Sequence, residues 1–239
     1  MNFKIISVIT IVIFLIFTSC KKDNENIVND SITEEEAAEV VEEALSVESG
    51  GMTVQLTEAT EMASDMEEST DDNCGMSFDS TINIVNPAGT VITFEYTITW
   101  NWQLNCNEFQ LPDNVTFHYD LSGWYDAPRI KGNNDGSHNF TLSGLSETSD
   151  DYVYSGNYKR TGDFEIKTGL QRSFTSDISI EATDLTLSKS TGMITGGTAI
   201  ITFSAKTSAG NECYFNGTIT FNGDETATLV FNNEYNIQL

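Results

Sequence analysis

The chain is poor in the residues that most chemistry requires. It has two histidines and three prolines, and 11 Lys and Arg stand against 36 Asp and Glu, a net charge of −25. So few bases argue against a nucleic-acid partner, because phosphate binding runs on Lys and Arg. They also argue against electrostatic attraction to an anionic membrane surface. Two histidines and no closely paired cysteines leave no zinc-ligand spacing. No Gly-x-Ser-x-Gly elbow, His-Glu-x-x-His helix or phosphate-cradling glycine loop occurs. The acid cluster Asp65-Met66-Glu67-Glu68 with Asp71-Asp72 lacks the calcium-loop pattern and reads as a solvated linker. No catalytic residue, metal site or cofactor is assigned.

Long apolar runs are scarce too, with one exception. Asn2 and Lys4 precede a stretch from Ile5 to Phe17 interrupted only by Ser7 and Thr10, too short for a permanent membrane span. Phe17-Thr18-Ser19-Cys20 follows. This segment resembles the lipobox of bacterial lipoproteins, with Phe17 where Leu is usual. The resemblance implies removal of residues 1–19 and lipidation of Cys20. Two or three acyl chains then hold the protein to a bilayer, where one would bind only reversibly. Lys21-Lys22-Asp23-Asn24-Glu25 resembles the mature start of lipoproteins from the Bacteroidota. That implies a lipid-anchored outer-membrane protein, with the periplasmic and cell-surface faces both open.

Residues 20–31 read as a tether and 32–72 as an acidic helical segment. Thr33 followed by Glu36 predicts a capping box, and Ala37, Val40, Val41, Ala44 and Leu45 share one helical face. Ser49-Gly50-Gly51 ends that helix. A second helix is expected from about Gln55 to Glu68, with Leu56, Ala59, Met62, Ala63 and Met66 inward, although Met52–Leu56 also suits an extended chain.

From residue 73 the apolar period becomes two. Ile92, Phe94, Tyr96, Ile98, Trp100, Trp102 and Leu104 alternate with polar residues, the mark of an antiparallel sheet wetted on one side. The pattern repeats to the C-terminus. Its phase slips between Ala182 and Leu185, which predicts a bulge. Turn signals stand at Asn86–Gly89, Asn133–Gly136, Lys189–Gly192, Ser208–Gly210 and Asn222-Gly223. The fold class is therefore mainly β: an antiparallel meander of about nine to eleven long strands over 73–239, preceded by one or two short acidic helices. Strands this long must curl, into a barrel, a sandwich or a bent open sheet, with the helices covering the apolar face or plugging an end.

Among the cysteines, Cys74 and Cys106 flank one hairpin and are expected to form a disulfide. Cys213 shares the parity of Phe215 and Ile219 and is expected to be a buried thiol. His118 alternates onto a polar face, and His138, beside the Asn133–Gly136 turn signal, is expected at the surface. Glu95, Asp120, Glu165 and Glu181 are the strand carboxylates from which a hydrolase pair could be drawn. Trp100 and Trp102 have core parity. Trp124 breaks the parity of its neighbours and, with Tyr125, is the candidate ligand contact.

The mature region resembles lipoproteins of the Bacteroidota in its lipobox, its acidic helical segment ending at Ser49-Gly50-Gly51, Cys74-Gly75 and its Thr/Ser-rich strands. No activity comes with that resemblance. The expected role is non-enzymatic, binding a protein, glycan or lipid partner or serving structurally. A lipocalin-like carrier of a small apolar ligand and an envelope hydrolase are the alternatives.

Overall fold

The computed structural model describes residues 31–67, 74–86, 89–146, 148–169 and 171–239. Cys20, the signal segment and the tether up to residue 30 lie outside the described residues.

Two helices come first. Helix α1 (Glu34–Leu45) is nucleated as its sequence dictates: Thr33 Oγ1 accepts from the Glu36 N–H at 3.2 Å, and Glu36 Oε2 accepts from the Thr33 N–H at 2.9 Å. Three glutamates occupy its first turn, where the helix dipole favours anions. A 3-10 turn at Val47–Ser49 and Gly50, at φ 71°, redirect the chain. Helix α2 (Met52–Glu67) starts earlier than its pattern suggested, and Met52–Leu56 is helical rather than extended. Its apolar anchors Met52, Leu56, Ala59 and Ala63 are fully buried.

Ten antiparallel strands follow in one sheet, in simple chain order: β1 (Ser77–Val85), β2 (Thr93–Cys106), β3 (Pro112–Asp126), β4 (Ile130–Ser143), β5 (Asp151–Ile166), β6 (Ser173–Ser188), β7 (Ile194–Thr207), β8 (Glu212–Phe221), β9 (Thr226–Val230) and β10 (Glu234–Gln238). The sheet is not closed into a barrel. The phase slip in β6 is a bulge. The β6–β7 register breaks between Ala182 and Thr186, and Asp184 takes φ 60° while its N–H bonds Ser155 Oγ at 3.2 Å.

The sheet curls around the helices. α1 reaches Arg129 beside β4, Arg160 on β5, Arg172 beside β6, and Asn233 and Gln238 at β10. Laid flat, β3 to β10 would span about 34 Å at ~4.8 Å per strand, some three times the width of a helix. The apolar face is therefore the inside of a trough, and the helices fill it. Val40, Val41, Ala44, Leu45, Met52 and Leu56 are at most 1% exposed, against Ile98, Tyr119, Tyr154 and Tyr158 of the strands. Each such large side chain contributes roughly 1.5–3 kcal/mol.

Tight curling crowds the concave face, and glycine relieves it. A Cβ on Gly123 would lie 2.1 Å from the Glu95 carbonyl and 2.5 Å from the Tyr96 ring, and one on Gly156 would lie 2.3 Å from Phe140 Cβ. This explains one wrong expectation. Asn133–Gly136 is not a turn but the middle of β4, with Asn134 and Gly136 on the concave face. The chain reverses instead at Ala127–Arg129, around Pro128.

Cys74 and Cys106 pair as a disulfide, Cα–Cα 5.6 Å, fastening the chain ahead of β1 to the end of β2. Cys213 points inward but is half-buried rather than buried, and Trp100 and Trp102 flank the core rather than entering it.

Candidate functional site

Two groups of side chains stand apart from ordinary packing: a polar spine inside the trough and a groove on its outer face.

The spine begins at Arg160. β5 sets it in phase with Tyr154 and Tyr158, so it points inward and is 2% exposed. Its Nε donates to Asn134 Oδ1 at 2.8 Å and Nη1 to the Glu43 carbonyl at 3.0 Å, while Nη2 donates to the Tyr96 hydroxyl. The guanidinium also lies over the rings of Tyr96 and Tyr125, 5.4 and 5.3 Å from their centroids. Burial raises the Tyr96 and Tyr158 hydroxyls above their ordinary range and that of Tyr125 well above it, so the rings around the guanidinium are neutral. The Glu43 carboxyl sits beside it. Burial pushes that group up to about 7, against the attraction of Arg160.

The spine continues to His138, which is fully buried and not at the surface as its neighbouring turn signal suggested. Nδ1 meets Gln55 Oε1 of α2 at 2.9 Å, Nε2 meets the Tyr154 hydroxyl at 2.8 Å, and the ring packs 4.3 Å from Phe140. Loss of water around the imidazole pulls its pKa down to about 3, so it stays neutral. These contacts pin the helices to the sheet. The groups face one another rather than an opening, so the spine holds the core together.

The outer face is largely polar, and Trp124 is one of the few large side chains exposed on it, with Ile200 on β7 and Tyr214 on β8. Trp124 is 40% exposed on β3, with Glu95 and Asn133 as its cross-strand neighbours. Two adjoining depressions of about 570 and 550 Å³ share Trp124, Asn133, Asp163 and Thr175. Of their charges, Lys131 and Glu165 pair with each other at 3.1 Å, while Lys206 pairs with Glu212 at 3.0 Å and Asp126 with Lys167 at 2.5 Å, both partners lying outside the lining. Asp135, Asp163 and Asp177 enter no ion pair among the described residues. The arrangement offers a flat ring beside amide, hydroxyl and carboxylate groups, all carried on strands.

Trp124 therefore stands where its broken parity put it. Tyr125 does not join it, because that side chain turns inward, 1% exposed, over Arg160. Glu95, Asp120, Glu165 and Glu181 lie on four different strands of the outer face, and no two are cross-strand partners. Among the described residues no three His, Cys, Asp or Glu are grouped to hold a metal ion. His118 is on the polar face as expected, bonded to Asn139 Oδ1 at 2.6 Å and Asp120 Oδ2 at 3.0 Å. The spine went unread in the sequence, although His138 shares the parity of Phe140 and Leu142, and Arg160 that of Tyr154 and Tyr158.

Compared with protein-family models, curated proteins and solved structures, the chain matches none.

Proposed function

We propose that the protein is a non-enzymatic, lipid-anchored binding protein of the outer membrane, moored through Cys20 and taking a neutral glycan in the groove around Trp124. The lipobox supports the mooring. The observation that carries the binding role is the division of the two sheet faces. The concave face, where a carrier would keep an apolar ligand, is occupied by α1 and α2. The convex face carries an exposed tryptophan among amide, hydroxyl and carboxylate side chains, with both lining lysines, Lys131 and Lys206, held in ion pairs. An indole stacks on the C–H face of a sugar ring, and Asn133, Asp163 and Thr175 supply partners for its hydroxyls. Strand-borne groups lose little freedom on binding, so a modest contact suffices.

Two measurements test this. Metabolic palmitate labelling should mark the wild type and not Cys20→Ala; equal labelling would remove the anchor. A panel of neutral oligosaccharides titrated against the detergent-solubilised protein should give at least one ligand whose affinity falls tenfold or more in Trp124→Ala. A panel without a binder, or a binder indifferent to Trp124, would refute the groove.

A further inference from the structure

The two ends of the meander are finished differently. β10 is five residues long, and α1 caps it: Glu34 Oε2 accepts from the Asn233 N–H at 3.3 Å, and Glu42 Oε1 accepts from the Gln238 N–H at 3.2 Å. β1 is nine residues long, and β2 covers only one of its sides. Among the described residues nothing else bonds its backbone. Alternate N–H and C=O groups therefore face outward along its whole length.

The usual safeguards of an edge are missing from β1. It contains no lysine, no proline and no bulge, and its one charge, in a chain of net −25, is Asp79. Its concave side is apolar and open. Phe78 is 54% exposed, 6.0 Å from the Trp100 ring and 6.4 Å from that of Trp102.

We infer that β1 is a dimerisation edge, pairing antiparallel with β1 of a second copy about a two-fold axis through Thr81. An axis normal to the sheet keeps concave faces together, so partners must share parity. The register that pairs all nine residues is centred on Thr81. It sets Asp79 opposite Asn83 of the second copy, so the acids do not meet. It also sets Phe78 opposite Ile84, so the exposed aromatic gains an apolar neighbour. The arrangement is self-complementary, and a second copy satisfies it without any other partner. Because the two-fold pairs the same edge of both copies, each dimer uses up both of its β1 edges and association closes at two chains.

Thr81→Cys places one thiol on the axis, facing its own copy. Mild oxidation of membranes carrying this variant should give a covalent dimer that is absent from the wild type and from Thr97→Cys on the next strand. Adding Asn83→Asp sets like charges opposite each other at two symmetric positions and should weaken association about tenfold. The new aspartate still offers an oxygen to the Thr97 hydroxyl, now bonded to Asn83 Oδ1 at 2.8 Å, so the monomer should melt as before. Adding Asp79→Asn as well removes the repulsion and should restore the dimer. A Thr81→Cys protein that stays monomeric would overturn the proposal. So would a dimer indifferent to the Asn83→Asp change, because its contact would lie elsewhere.

Discussion

Acidification should pull the stability of this protein in two directions at once, through two groups of the spine, one partly buried and one fully buried. Glu43 has a folded pKa of about 7 against an ordinary 4.5. Its neutral form suits the fold, so stability is full below the unfolded value and falls as pH rises from 4.5 through 7. His138 has a folded pKa of about 3 against an ordinary 6.5. Its neutral form also suits the fold, but here stability is full above the unfolded value and is lost as pH falls from 6.5 towards 3. Between pH 7.5 and 5 the linkage relation gives about +2 kcal/mol from Glu43 and about −2 kcal/mol from His138, which nearly cancel. The wild type should thus show little net dependence from this pair. Glu43→Gln removes the first contribution, so its stability relative to the wild type should drop by about 2 kcal/mol on acidification. His138→Gln removes the second and should move by a similar amount in the opposite direction. Urea unfolding at pH 7.5, 6 and 5, scored as variant minus wild type, cancels every other titrating group. If both differences stayed flat, the two side chains would be ionising as they do in water, and the burial argument would fail.

Three further outcomes follow from the packing. Reducing the Cys74–Cys106 bridge, which spans 32 residues, should lower stability by about 3–4 kcal/mol, visible as an earlier urea midpoint with reductant and in Cys74→Ser/Cys106→Ser. Gly123→Ala should destabilise by about 2 kcal/mol or more in thermal unfolding, because its methyl meets the Glu95 carbonyl and backbone cannot step aside. Arg160→Met should cost about 3 kcal/mol or more, since Asn134 Oδ1, the Tyr96 hydroxyl and the Glu43 carbonyl all lose a buried donor; a loss below 1 kcal/mol would mean water replaces it.

Most of the architecture was legible because alternation survives in this sheet with few breaks. Ile92 to Leu104 announced one face of β2, and the slip after Ala182 announced a bulge. The helices declared themselves through Thr33 with Glu36 and through Ser49-Gly50-Gly51. The false turn and the misplaced histidine failed for one reason. Asn-Asn-Asp-Gly carries the residues of a turn, yet here the glycine answers to crowding on a concave surface, a property of the finished curl rather than of local sequence. That single misreading also sent His138 to the surface, although two residues on Phe140 already marked the inward phase. Trp124 was read as exposed because it breaks the parity of its neighbours beside the Pro128 loop, and it is exposed. Tyr125 was grouped with it by adjacency, which in a strand means the opposite face.

The chain contains three arginines, and all three grip α1, Arg172 reaching also to Ser31 ahead of it. Arg129 holds Glu39 at 2.9 Å, Arg172 holds Glu36 and the Ser31 carbonyl, and Arg160 holds the Glu43 carbonyl. They engage successive turns of the helix from sites spread across the middle of the sheet. A force arriving at Ser31 along the chain would meet these guanidinium clasps one after another, sliding the helix lengthwise before any strand could peel from its neighbour. Such a force would first be borne by these clasps and by the buried apolar stripe of α1, ahead of the hydrogen-bond ladder of the sheet.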